Sequence, residues 1–293
     1  MLDLSHIPNS QQDIQIFNAN GSAWQTWRKP KKCNYIYIMC IGGGGGGAAG
    51  ASVNNNSAGG GASGAITRIL YNAQQLSDIL YVEVGLGGVG GSSSGASGTN
   101  GTRSRVALQP TTAVVAQNLV AISGAAGAVG GNTGGTTSAG ETVSTQGNAT
   151  FYTLSNFIST AGRVNTVTGL LDITPLTSQI TSPGAAGGRF TSTPVITNAG
   201  SILSTTYSPL IPLGVSSSTA GVNGTNGGDG VTIWKPFFSV GGAGGGASVT
   251  ANGGIGGNGG IGSGGGGGGA GATLAQGGSG GKGGDGLVII ISF

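Results

Sequence analysis

Runs of bulky apolar residues in this chain are short, and most of them abut glycine. Residues 35–41 read Tyr-Ile-Tyr-Ile-Met-Cys-Ile. β-Branched and aromatic side chains without polar alternation predict a strand covered on both faces. This run passes directly into the glycines 42–47. Residues 65–71 predict a second strand after Gly59-Gly60-Gly61. Residues 79–84 predict a third, leading into Gly85-Leu86-Gly87-Gly88-Val89-Gly90-Gly91. Residues 287–291 predict a closing strand after Gly283-Gly284-Asp285-Gly286. Strand into glycine at one end and glycine into strand at the other predicts that the two ends pair in one small sheet. Ahead of them, Ile14, Ile16 and Phe17 predict a short strand and Asn20-Gly21-Ser22 a turn.

Between the strands the polar and apolar positions recur every third residue. Residues 253–261 read Gly-Gly-Ile, Gly-Gly-Asn, Gly-Gly-Ile, and residues 277–285 read Gly-Gly-Ser, Gly-Gly-Lys, Gly-Gly-Asp. Residues 87–92 repeat the pattern with valine and serine. A polyproline II helix has about 3 residues per turn and rises about 3.1 Å per residue. A Gly-Gly-X triplet then presents two bare edges and one side-chain edge. Bare edges let backbones approach closely enough for their N–H and C=O groups to bond between helices. Collagen shares the period but needs one glycine per triplet and abundant proline, and none of the nine prolines falls in these runs. Calcium-binding nonapeptide repeats need tandem aspartates, whereas Asp229 and Asp285 are isolated. A flexible linker is the remaining alternative. The strands that bracket the tracts, and the absence of a consistent serine partner, argue against it.

Composition sharpens this reading. Glycine supplies 66 of 293 residues, with 6% charged and 5% aromatic residues, too few bulky groups for an ordinary large core. Ordering a residue costs about 1–2 kcal/mol of backbone entropy, and glycine loses the most. A single extended helix does not recover that cost, so the tracts require a closed bundle. The expected fold is mainly β and irregular: a glycine-rich polyproline II helix bundle with a small β-sheet formed by strands near both ends. Four regions follow. Residues 1–33 form an N-terminal docking segment, and 34–141 the first half of the glycine-rich domain. Residues 142–235 form a Ser/Thr/Pro-rich insertion, and 236–293 the second half with its closing strand.

Little chemistry stands out. The one histidine, His6, lies near the start, and the acidic residues form no distinctive pair. The glycines lack the lysine-serine or lysine-threonine ending of a phosphate-binding loop. Catalytic, cofactor and metal sites are therefore expected to be absent. Lys282 and Asp285, three apart, fall on one edge of a three-fold helix and predict a surface ion pair of small worth. Cys33 and Cys40 have an odd separation in what reads as one strand, so they are expected on opposite faces and unpaired. A net charge of +3 from 11 basic residues is not a nucleic-acid-binding composition. The first residues lack the basic start and apolar stretch of a signal peptide, and no apolar run is long enough to span a bilayer. The chain is expected to be made in a cytoplasm without an export signal, which fits release by assembly or lysis.

Trp24-Gln25-Thr26-Trp27-Arg28-Lys29-Pro30, the strand 35–41 and the glycines 42–47 together resemble the opening of the glycine-rich domain proteins of tailed bacteriophages. Residues 79–91 resemble that family's second hallmark, and residues 280–291 its closing strand. The likeness covers about residues 24–140 and 221–293, and the middle departs from it. The chain also resembles the glycine-rich tip adhesins of T-even-like phages, in which polyproline II helices pack as a sandwich and connecting loops touch the host. The resemblance implies a non-enzymatic virion protein, a tail-fibre or tail-tip component with a receptor-binding role. Its partners would be other virion proteins and a host-surface glycan or outer-membrane protein, without nucleic acid or membrane insertion. It would work as a homo-oligomer, with a trimer the expected form. The alternatives are a head decoration or tail adaptor without host contact, and a non-viral glycine-rich surface- or ice-binding protein.

Two sets of residues are candidates on this reading. Trp24, Trp27, Arg28, Lys29, Lys31 and Lys32 concentrate interface-favoured types for docking onto a virion partner. Asn54, Asn55, Asn56, Arg189, Phe190, Tyr207, Trp234 and Phe237 are candidate receptor-binding loop residues. Asparagine pairs donors and acceptors for sugar hydroxyls, and aromatics supply rigid contact area.

Overall fold

The computed structural model describes residues 12–52, 58–92, 94–111, 119–122, 152–157, 180–190, 196–197, 199–200, 214–215, 221–272 and 276–293. Its strands are β1 (Asp13–Asn18), β2 (Gln25–Arg28), β3 (Tyr35–Ile41), β4 (Ile66–Asn72), β5 (Ile79–Glu83), β6 (Arg105–Ala107) and β7 (Leu119–Ile122). They continue as β8 (Tyr152–Phe157), β9 (Arg189–Phe190), β10 (Ile196–Thr197), β11 (Thr232–Trp234), β12 (Phe237–Ser239) and β13 (Leu287–Ser292). Among the described residues helix is confined to one 3-10 turn, Ala73–Gln75. The fold is mainly β, in small antiparallel sheets.

Two sheets pack at one end. The five-stranded sheet has the order β1-β13-β3-β4-β8, and the four-stranded one β2-β5-β6-β7. β13 pairs antiparallel with β3, Leu287 opposite Ile41 and Ile290 opposite Ile38, as the two glycine-abutting runs predict. β1 adds to the far side of β13. Alternation divides the side chains of β3 between two cores. Ile36, Ile38 and Cys40 face inward with Val288, Ile290, Ile69 and Tyr71, and Trp27, Leu80, Val82 and Val106 of the second sheet meet them. Met39 and Ile41 face the other way with Ile66 and Leu287, and Phe237, Ile180 and Ile261 pack against them. Both faces of β3 are thus covered. The sheets are joined by Tyr71, whose hydroxyl donates to the Val120 carbonyl, and by Thr67 Oγ1, which donates to the Ile122 carbonyl at 2.7 Å. Burial raises the Tyr71 and Cys40 pKa values well above their ordinary ranges. Cys33 lies in the turn before β3, outside the strand expected to hold both cysteines, and both thiols are free.

Beyond the sheets the chain runs back and forth in extended rows whose hydrogen bonds fan out with period three. Residues 42, 45 and 48 donate to the carbonyls of 65, 62 and 59. Residues 43, 46 and 49 donate to those of 102, 99 and 96, and residues 44, 47 and 50 to those of 284, 281 and 278. Each successive amide therefore points to a different neighbour, and the pattern returns after three residues. Residues 263–271 form a row that is buried throughout. Apart from that of Ser263, which donates to Gly260, their N–H groups reach 182–188, 45–51 and 254–257, and their carbonyls receive N–H groups from Gly61, 242–248 and 278–284. A backbone surrounded this way leaves no space for a side chain at its glycines. A Cβ on Gly266 would lie 2.0 Å from the Ala243 carbonyl oxygen. Residues 182–188 and 224–230, expected to belong to an insertion, are rows of this lattice.

Candidate functional site

The outermost layer turns the third residue of each triplet outward. Hydrogen bonds connect its rows in the order 96–102, 86–92, 276–286, 252–262 and 223–232. Two transverse levels across it form an open groove of about 690 Å³. One level holds Val89, Lys282, Asn258 and Asp229, and the next holds Ser92, Ser279, Ile255 and Asn226. Lys282 Nζ lies 3.0 Å from Asp285 Oδ1, the ion pair expected from their spacing. Both groups are substantially exposed, so the pair adds little.

Backbone alone does not hold these outer rows. The X-position N–H groups bond to side-chain oxygens of the adjacent row. Asn252, Ile255, Asn258 and Ile261 donate to Asn223 Oδ1 (3.1 Å), Asn226 Oδ1 (2.9 Å), Asp229 Oδ1 (2.7 Å) and Thr232 Oγ1 (3.1 Å). The next row repeats this, with Gln276 and Lys282 donating to Asn252 and Asn258 Oδ1 at 2.9 Å each.

Each asparagine acts together with the glycine that follows it. Asn226 Oδ1 accepts the Ile255 N–H while the Gly227 N–H donates to the Ile255 carbonyl at 2.8 Å. Asn223-Gly224, Asn252-Gly253, Asn258-Gly259 and Asp229-Gly230 grip residues 252, 276, 282 and 258 in the same two-point way. Thr99 and Thr102 do so with hydroxyl and own amide, on Val89 and Leu86. The outward polar residues thus have a structural duty that their exposed positions conceal. Asn226→Ala is expected to lower stability by about 1 kcal/mol, a fall of about 2 °C in the midpoint of thermal unfolding for a domain of this size. Ile255→Ala, which leaves every clamp intact, is expected to shift the midpoint less.

The candidate docking residues divide. Trp27 is fully buried in the core between the two sheets, so the docking role expected of it is corrected: its indole holds the fold together. β2 pairs with β5, setting Trp27 opposite Leu80, and that register carries the ring inward. Trp24 packs against Ala107 and Ile122 on the outer side of the same sheet. The Arg105 guanidinium lies 5.6 Å from the Trp24 ring centre and pairs with Glu83. Lys29 bridges Asp78 at 2.8 Å and donates to the carbonyls of Ala73 and Leu76, which ties down the 3-10 turn. Arg28, Lys31 and Lys32 remain exposed. Tryptophan and lysine beside a proline carried no signal that separated an anchor from a core residue.

The candidate binding residues also part company. Ala270 donates to Gly188, Ser248 to Ala270 and Gly271 to Ala51. These bonds gather Arg189, the 249–251 turn and the residues flanking 53–57 at the end remote from the sheets. Arg189 and Phe190 form β9 there, paired with β10. Trp234 and Phe237 sit at the opposite end, in the β11–β12 hairpin, with ring centres 5.4 Å apart. Phe237 packs against the Met39–Ile41 core, whereas Trp234 is exposed. Asn54, Asn55, Asn56 and Tyr207 lie outside the described residues. The clamps were missed because Asn-Gly reads as a turn, although its recurrence at 223, 226, 252 and 258 matches the triplet period.

A family model described as a glycine-rich domain matches residues 18–292. No curated protein matches the chain.

Proposed function

This chain belongs to the glycine-rich domain family, and from that premise we propose that it is a non-catalytic bacteriophage tail-fibre or tail-tip protein that binds a host receptor. On this reading the extended rows are a bundle of polyproline II helices. Support comes from the fan of hydrogen bonds, which turns by one neighbour per residue and repeats after three, as a helix of about three residues per turn requires. The sheets at one end anchor the protein in the particle, and the connections at the other end meet the host. The observation that carries this reading is that the interior rows are packed backbone against backbone, which leaves recognition to the connections between rows, Arg189 among them.

The outer grid has the regularity of a surface-binding face. Yet Lys282, Asp229 and Asp285 interrupt it, and it is neither threonine-rich nor alanine-rich. That weighs against the ice-binding alternative. Attachment at the sheet end falls to the exposed Arg28, Lys31 and Lys32, with virion proteins as partners and a host-surface glycan or outer-membrane protein at the far end.

The test is particle adsorption. Alanine at Asn54, Asn55 and Asn56, or at Arg189, is expected to reduce adsorption to host cells about tenfold or more, the effect of losing about 1.4 kcal/mol of contact. Trp234→Ala, at the sheet end, is expected to leave adsorption unchanged. Normal adsorption by folded, incorporated variants at these four positions would put the head-decoration or tail-adaptor reading in front.

A further inference from the structure

Six asparagines of this chain directly precede glycine: Asn20, Asn100, Asn223, Asn226, Asn252 and Asn258. This dipeptide is prone to spontaneous deamidation, because glycine offers little steric resistance to ring closure. The glycine nitrogen loses its proton to solvent base and attacks the asparagine side-chain carbonyl carbon. The bond to the side-chain nitrogen breaks, that nitrogen leaves as ammonia, and a five-membered succinimide forms. Water then opens the ring to aspartate or isoaspartate. The net reaction consumes water and releases ammonia, with no change of oxidation state.

We infer that the clamps make four of these pairs resistant in the folded protein, and that Asn20 is its deamidation site. Ring closure needs the glycine amide free to ionise and the asparagine carbonyl carbon free to turn onto it. In each clamp both groups are committed, and to the same residue. Asn223 Oδ1 accepts from the Asn252 N–H while the Gly224 N–H donates to the Asn252 carbonyl at 2.9 Å. Asn226-Gly227 holds Ile255 likewise. Asn252-Gly253 holds Gln276, with amide bonds of 2.9 and 3.1 Å. Asn258-Gly259 holds Lys282, at 2.9 and 2.8 Å. Turning the side chain inward breaks one bond, and ionising the amide breaks the other. The row beyond fixes the distance between them.

Asn20-Gly21 has neither restraint. It lies in the exposed turn between β1 and β2. Gly21 has φ +56°, and the position where a Cβ would stand has no atom within 4 Å. Gly21 also lines an open surface groove with Ser22 and Arg103, so water and base reach it. Among the described residues its amide has no hydrogen-bond acceptor. Asn100-Gly101 is intermediate. Its own amide is uncommitted among the described residues, yet Thr99 and Thr102 fix the chain on either side through Val89 and Leu86. The site has a consequence for the fold. Isoaspartate at position 20 lengthens the backbone between a strand of the five-stranded sheet and a strand of the four-stranded one, and adds a negative charge there.

The experiment ages the full-length folded protein in mildly alkaline buffer and quantifies aspartate and isoaspartate at each site by peptide mass spectrometry. A parallel sample is held unfolded in urea. In the folded protein Asn20 is expected to convert first and Asn100 more slowly. The four clamped sites are expected to convert about a hundredfold more slowly than Asn20, about tenfold for each of two hydrogen bonds that must open. In urea all six are expected to convert at similar rates, since each precedes glycine. Conversion of the clamped sites at the Asn20 rate in the folded protein would overturn the protection. Persistence of Asn20 in the folded protein, with conversion in urea, would overturn its assignment as the labile site.

Discussion

Gly257→Val is expected to abolish folding of the glycine-rich body, while Asn258→Val, one residue along, is expected to cost about 1 kcal/mol. A Cβ on Gly257 would stand 1.9 Å from the Gly228 carbonyl oxygen and 2.5 Å from its carbon. These are backbone atoms, so no side chain can swing aside. Retreat in other directions is closed, because the Gly257 amide bonds to Ala243 and its carbonyl receives Gly266. Positions 242 and 281 press on that same carbonyl: a Cβ at either would lie within 1.9 Å of it. Separating the rows would break several hydrogen bonds at once, placing the loss above the 4–5 kcal/mol that marks exceptional substitutions, by order of magnitude about 5 or more. At Asn258 the side chain already points outward, and valine forfeits only the acceptor for the Lys282 N–H. Soluble yield and thermal unfolding of the two variants decide the matter. Equal tolerance would remove any structural role for the triplet period.

The second large effect belongs to Trp27. Trp27→Ala is expected to destabilise the protein by about 3–5 kcal/mol, the range for emptying a buried aromatic site. The ring fills the space between the two sheets, against the cluster of Ile38, Leu80, Val82 and Val106, and the strands on either side are hydrogen-bonded in fixed register. The cavity therefore collapses poorly. Trp27→Phe is expected to cost less, since most of the ring volume returns and the buried indole N–H, which finds no acceptor among the described residues, is removed. Denaturant unfolding followed by circular dichroism measures both. A loss under about 1 kcal/mol for the alanine variant, the typical cost of an ordinary substitution, would restore a surface role for this residue.

The parts of the fold that side chains specify were legible in the sequence. Strand β3 carries seven apolar residues in a row, and its partner β13 is similar, so both the strands and their pairing could be expected. The triplet period was equally plain. Which row lies beside which was not, because Gly-Gly-X segments present nearly identical backbones to one another, and register is set by loops and by the few X residues that clamp. Strands such as β6 and β11, three residues each, are too short for a periodic pattern. Trp27 was misread for a related reason. Composition marked it as an interface type, whereas the β2–β5 register carries its ring into the core.

The lattice also bears on how stability responds to temperature. Unfolding raises heat capacity in proportion to the apolar surface it exposes, and lowers it for polar surface, netting roughly 12–15 cal/mol/K per residue in ordinary proteins. Rows such as 263–271 conceal chiefly peptide groups, with almost no hydrocarbon. Their contribution to that increment is small or negative. The dome of free energy against temperature is correspondingly flattened over the glycine-rich body, and cooling weakens it little, because the driving force that fades in the cold is the one it uses least.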